Sequence, residues 1–178
     1  MRERGFTLIE LMIVLTVFGL ILGAIFAVMY VGKQSWSQGG TKVEIQQEAR
    51  RAMEEIVREL RESAQDVVTG VLADGTAYNA ITFRMPDDID GDGDVLDANG
   101  VIEWGTPISF SVGGINNEQL LRTSAGNTTV LGNHVVSLQF TRNAATPNVI
   151  EIDIQTQRTS QEQRVFQAAL SSKVTLRN

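Results

Sequence analysis

Residues 6–31 read FTLIELMIVLTVFGLILGAIFAVMYV. Apart from Tyr30, Glu10 is the only ionisable residue in this run. About 20 apolar residues span a bilayer as a helix, so the stretch is long enough to cross one. Lipid offers the backbone no hydrogen-bond partners, which favours helix here despite the β-branched residues. Gly19 and Gly23 are either a close-approach pair for a neighbouring helix or ordinary membrane-helix glycines. Arg2 and Arg4 precede the run, opposed only by Glu3. Positive flanks stay in the cytoplasm, so the C-terminal bulk is expected outside it, beyond the inner membrane. A secretory signal has a shorter apolar core followed by a small-residue cleavage site. Gly32-Lys33-Gln34-Ser35-Trp36 supplies none, and the apolar segment is expected to be retained.

Glu10 is out of place in such a segment. A carboxylate deep in a membrane helix costs roughly 2.5–3.5 kcal/mol on insertion scales. It calls for a partner or a function, unless it sits shallow among headgroups. The run Arg4-Gly5-Phe6-Thr7-Leu8-Ile9-Glu10-Leu11-Met12 resembles the prepilin signature of type IV pilins and type II secretion pseudopilins. The resemblance covers roughly residues 1–30. It implies a leader at residues 1–5, cleavage after Gly5 by a prepilin peptidase, and methylation of the new terminus at Phe6. It further implies that Glu10 neutralises the N-terminal amine of a neighbouring subunit during assembly on an inner-membrane platform. Two opposite charges buried together tolerate each other better than either alone, which gives the costly carboxylate a purpose. Loss of residues 1–5 removes two Arg and one Glu and takes the formal charge from −6 to −7, termini ignored.

The transmembrane helix is expected over 6–32 and an amphipathic helix over 33–65. In the second, Ile45, Ala49, Ala52, Ile56, Leu60 and Ala64 recur at three- and four-residue steps, with Met53 and Val57 widening the stripe. The opposite face is charged and reads as solvated. Gly39 and Gly40 each disfavour helix by about 1 kcal/mol, which predicts a kink or melted stretch over 35–40. Thr41 and Glu44 would then form a capping box for a new helix. The pilin resemblance instead implies one long spine helix. Trp36 reads as an interfacial anchor.

Beyond residue 65 the apolar period changes to two. Ile81, Phe83 and Met85 alternate with polar residues, as do Ile108, Phe110 and Val112. So do Val136, Leu138 and Phe140, then Ile150, Ile152 and Ile154, then Phe166, Ala168 and Leu170, with Val174 and Leu176 beyond. Such alternation marks strands with one buried face. Gly113-Gly114, Gly126-Asn127 and residues 143–148 separate them with turn chemistry. The expected class is α+β: a long N-terminal helix whose amphipathic half packs on a mostly antiparallel sheet in a head spanning 66–178. This also matches what the resemblance implies, and the last ten residues resemble the close of minor pilins and J-type pseudopilins.

Between two expected strands, six Asp fall in the eleven residues from Asp87 to Asp97, with no Lys or Arg between Arg84 and Arg122. Asp88, Asp90, Asp92 and Gly93 fit the start of a calcium loop, where ligands at every second residue wrap one hard cation. Position twelve from Asp88 is Asn99 instead of a bidentate Glu, and no helices flank the loop. A looser calcium site is expected, completed by Asp94, Asp97 or Asn99; the alternative is a solvated acidic turn.

The 178 residues carry 43% hydrophobic residues and a formal charge of −6, which fit one packed domain plus an anchor and exclude a basic nucleic-acid footprint. There is no Cys and one His, so neither disulfides nor a typical structural zinc site is expected. No nucleophile elbow, P-loop or dinucleotide fingerprint is present, and His134 has no triad-like neighbours in sequence. No catalytic residues are expected. The leading reading is a structural subunit, a minor one, of a type IV pilus or type II secretion pseudopilus. The alternative is a tip subunit whose calcium-stabilised head touches a surface or a secreted substrate.

Overall fold

The computed structural model describes residues 7–160 and 163–177. The chain divides into two compact units, one up to residue 40 and one from residue 41 onward. The first helix, α1, runs Leu8–Glu62. Among the described residues it is the one helix long and apolar enough to cross a membrane. Large apolar side chains from Leu8 to Val31 are exposed on all sides, which in water would be costly and in lipid is not.

Residues 35–40 are helical, so the expected interruption at Gly39-Gly40 does not occur. Two glycines cost about 2 kcal/mol in propensity, while a helix already nucleated on both sides gains a hydrogen bond with each residue added. Thr41 and Glu44 therefore lie inside a helix, where there is no end to cap. The helix stops at Glu62, three residues short of the expected 65, and a 3-10 turn follows at Gln65–Val67.

In the second unit eight strands follow: β1 (Ala77–Tyr78), β2 (Ala80–Phe83), β3 (Ile108–Gly113), β4 (Gln119–Ser124), β5 (Asn127–Asn133), β6 (Val135–Asn143), β7 (Thr146–Thr159) and β8 (Val165–Thr175). They form two antiparallel four-stranded sheets, ordered β1-β6-β7-β8 and β2-β3-β4-β5, where one sheet was expected. Ile45, Ala49, Ala52, Ile56 and Leu60 are all buried, as their spacing predicts. Ala52, Ile56 and Leu60, with Met53, close over a core of Ile81, Phe83, Ile108, Phe110, Leu138, Phe140, Ile150, Ile152 and Ile154. Phe83 and Phe110 stack there with ring centroids 5.7 Å apart. The buried Thr156 hydroxyl is satisfied by the carbonyl oxygens of Ile45 and Ala168, each 3.4 Å away, which ties α1 to β7 and β8.

Two strand readings need correction. Val136 is 38% exposed and Val135 is buried in its place, because a register shift between Val135 and Ser137 turns the start of β6 over. Met85 lies just past the end of β2.

Candidate functional site

Two places concentrate chemistry. The first is the start of α1. Glu10 stands in its first turn, where the helix dipole favours a negative charge. Its Oε2 accepts hydrogen bonds from the Thr7 backbone N–H (2.9 Å) and the Thr7 hydroxyl (3.0 Å). The Glu10 N–H in turn donates to Thr7 Oγ1 at 3.4 Å. This reciprocal pair is a capping box, and it satisfies two of the N–H groups that a helix start leaves unpaired. The same S/T-x-x-E pattern that was expected at Thr41 operates at Thr7, because that is where a helix begins. Gly5 and Phe6 lie outside the described residues.

The second is an arm between β2 and β3. The backbone pairs Met85 with Gly105, Asp87 with Glu103, Val95 with Glu103 and Asp97 with Val101, so residues 85–105 make an irregular hairpin. Carboxylates brace its tip. Asp88 accepts from the N–H groups of Gly91 (2.7 Å) and Gly93 (2.9 Å), and Glu103 accepts from Ile89 N–H (2.7 Å). Gly91 and Gly93 sit at φ of 82° and 90°, the left-handed region that a side chain disfavours. Oxygens of Asp88, Asp90 and Asp92 come within 4.8 Å of one another, all exposed. Asp94 and Asp97 do not join that group. Asp94 accepts from Val95 N–H (2.6 Å), while Asp97 accepts from Asn99 and Val101 N–H and from the Asn99 amide. Those backbone bonds hold the Asp97 carboxyl below its usual range. Of the six expected ligands the fold thus gathers three, and Asn99 turns toward Asp97.

Residues 1–26 match the family model of the prokaryotic N-terminal methylation motif. The chain carries a prepilin-type signature. Together with the long N-terminal helix, this signature is consistent with a pilin-like protein, and the matched motif is a structural one, not an enzyme class. No curated protein and no solved structure matches it.

The head holds a further polar pair that its sequence does not advertise. Glu59 on α1 is 6% exposed, and both its oxygens accept from Arg122 Nε on β4, at 2.8 and 3.1 Å. Burial pushes the Glu59 carboxyl up, and Arg122 offsets only part of that. The guanidinium also lines a concavity of about 200 Å³ with Met85, Pro86, Asp87 and Gly105 at the base of the arm. No local pattern could reveal a pair 63 residues apart. Nearby in type but not in place, Arg158 on β7 pairs with Glu44 on α1. His134 occupies the turn between β5 and β6 at φ 60°, a strand-end position as its sequence context suggests.

Proposed function

We propose that this chain is a structural subunit of a type IV pilus or type II secretion pseudopilus, cut after Gly5, methylated on Phe6 and assembled through α1. The observation that carries the reading is a carboxylate, Glu10, in the first turn of a helix whose large apolar side chains from Leu8 to Val31 are exposed among the described residues. A neighbour's Phe6 ammonium supplies the opposite charge for Glu10. Prepilin peptidase, other pilin-type subunits and the inner-membrane platform are the partners this implies. The head then lies outside the cytoplasm. Isolating filaments, by shearing for a pilus or from the periplasm for a pseudopilus, from cells that express the full assembly system tests the assignment. The mature chain should appear in the filament fraction, and its confinement to membranes beside intact filaments would contradict the assignment.

The Asp88, Asp90 and Asp92 oxygens favour calcium as an added element of the head. They are hard donors at a spacing one cation can bridge, and backbone carbonyls and water would complete a shell of about six to eight oxygens. For a site of about 0.1 mM affinity, 1 mM-scale calcium adds roughly 1.4 kcal/mol and should raise the Tm of the detergent-solubilised chain by about 3 °C over chelator. An unmoved Tm removes calcium from the account.

A further inference from the structure

A hollow of about 350 Å³ lies where α1, the 3-10 turn before β4, the turn between β5 and β6 and the end of β7 meet. That volume falls in the range of small-ligand sites. Hydrogen bonds fix its walls. Gln119 Oε1 accepts from the Ile115 N–H (3.1 Å), and Gln119 Nε2 donates to Asn133 Oδ1 (2.9 Å). The Val135 N–H donates to the Glu118 carbonyl oxygen (2.9 Å), and the Gln157 N–H to that of His134 (2.8 Å). Asn116 and His134, both in the lining, hold φ of 55° and 60°. Left-handed backbone at a residue other than glycine is strained, and such positions gather at ligand sites.

Three carboxylates line the hollow, those of Glu44, Glu48 and Glu118. Glu44 is spent on Arg158. Glu48 and Glu118 are then left against His134, so the lining is negative whether or not that imidazole is charged. Glu48 Oε2 is buried and accepts no hydrogen bond, alone in this among the side-chain atoms of the described residues. Burial pushes the Glu48 carboxyl up, and His134, Arg158 and Arg51 do not make up the difference. The last torsion of a Glu side chain is broad, so a rotation turns that oxygen toward the hollow.

The lining selects among cations. A divalent ion needs several oxygens close together, and among the described residues only Asp88, Asp90 and Asp92, in the arm, bring three ligand atoms within 4.8 Å. A guanidinium takes both oxygens of a carboxylate in a flat fork, whereas the unmet acceptor here is a single oxygen. A primary ammonium is a compact charge with three rotatable donors on an aliphatic stem. Glu48, Glu118 and the Asn116 amide oxygen offer it acceptors, and Ile115, 72% exposed, offers the stem an apolar contact.

We infer that this hollow is a binding site for a primary ammonium group, with Glu48 and Glu118 as its counter-charges. A lysine side chain of a partner protein and a free diamine both supply that group. Binding of this kind needs no filament and is read on the chain alone.

Isothermal titration of the full-length chain in detergent, with Nα-acetyl-lysine amide and with cadaverine, tests it. The expected result is saturable binding at roughly millimolar concentration. Tighter binding of the lysine derivative assigns the site to a protein side chain, and tighter binding of cadaverine assigns it to a free amine. Glu48→Gln should weaken binding about tenfold or more through the loss of a charge-assisted hydrogen bond. It should keep the fold, because a neutral amide is easier to bury than a carboxylate. Glu118→Gln should weaken binding in the same direction, and Asp88→Asn with Asp90→Asn, in the arm, should leave it unchanged. No saturable binding of either amine, or equal affinity in the wild type and Glu48→Gln, overturns the site.

Discussion

Glu10→Ala is expected to leave leader cleavage intact and to cut filament incorporation by roughly 100-fold or more. In the proposed assembly route the peptidase reads the segment around Gly5, whereas assembly buries the charge that cleavage would create. Removing one partner of a buried ion pair leaves the other uncompensated, at about 3–5 kcal/mol, and each 1.4 kcal/mol is tenfold in an equilibrium. Glu10 has a second role, as the acidic member of the Thr7 capping box. Glu10→Gln separates the two. A Gln side chain still accepts from the Thr7 N–H and keeps the cap, but carries no charge. If charge neutralisation drives assembly, Glu10→Gln fails nearly as badly as Glu10→Ala. Quantitative blots of sheared filaments decide it: wild-type incorporation of Glu10→Gln would leave only the cap as the role of Glu10.

The largest stability effect is expected at Arg122. Arg122→Ala strands the Glu59 carboxylate beneath α1, and it should destabilise the head by about 3–5 kcal/mol. Glu59→Gln should cost far less, because Arg122 is 24% exposed in its side chain and can turn to water. The asymmetry has a pH signature. Glu59 is already raised above its unfolded value, with burial the main cause. A raised carboxyl contributes stability that is present in full below the unfolded pKa and is lost as pH rises through the folded one. Without Arg122 the Glu59 carboxyl rises further, so the Arg122→Ala deficit should be widest near neutral pH and shrink toward the ordinary carboxylate range. Glu48 shifts in the same direction by burial, with one oxygen buried and unpartnered. Denaturant melts at several pH values test this, and equal losses for Arg122→Ala and Glu59→Gln would contradict it.

Much of the head could be read before its structure was known, and the reasons are local. Ile150, Ile152 and Ile154 alternate in an unbroken run and are all fully buried. The Ile45-to-Leu60 stripe holds its period because one face of α1 meets two apolar sheet faces. The hairpin of β4 and β5 escaped notice for a matching reason. Leu120 is its one buried large apolar side chain, and a register shift at Leu120-Leu121 breaks the alternation. Propensity alone misled at Gly39-Gly40, where cooperativity in a long helix outweighs two glycines. At the site, the position of Glu10 was legible because a lone charge in an apolar run is conspicuous. Its bond to Thr7 follows from the helix starting at Leu8, which no periodicity marks. The Asp88, Asp90 and Asp92 oxygens lie within 4.8 Å of one another. Asp94, Asp97 and Asn99 went to backbone and side-chain partners within the arm itself, a competition that residue spacing does not reveal.

The central claim is that the first residues are a leader and that Phe6 opens a mature, assembling chain. Intact mass and N-terminal sequencing of the protein, expressed with and without a prepilin peptidase, test it most directly. The account predicts a chain beginning at N-methyl-Phe6 when the peptidase is active and at Met1 when it is absent. A chain that still begins at Met1 beside active peptidase would contradict it.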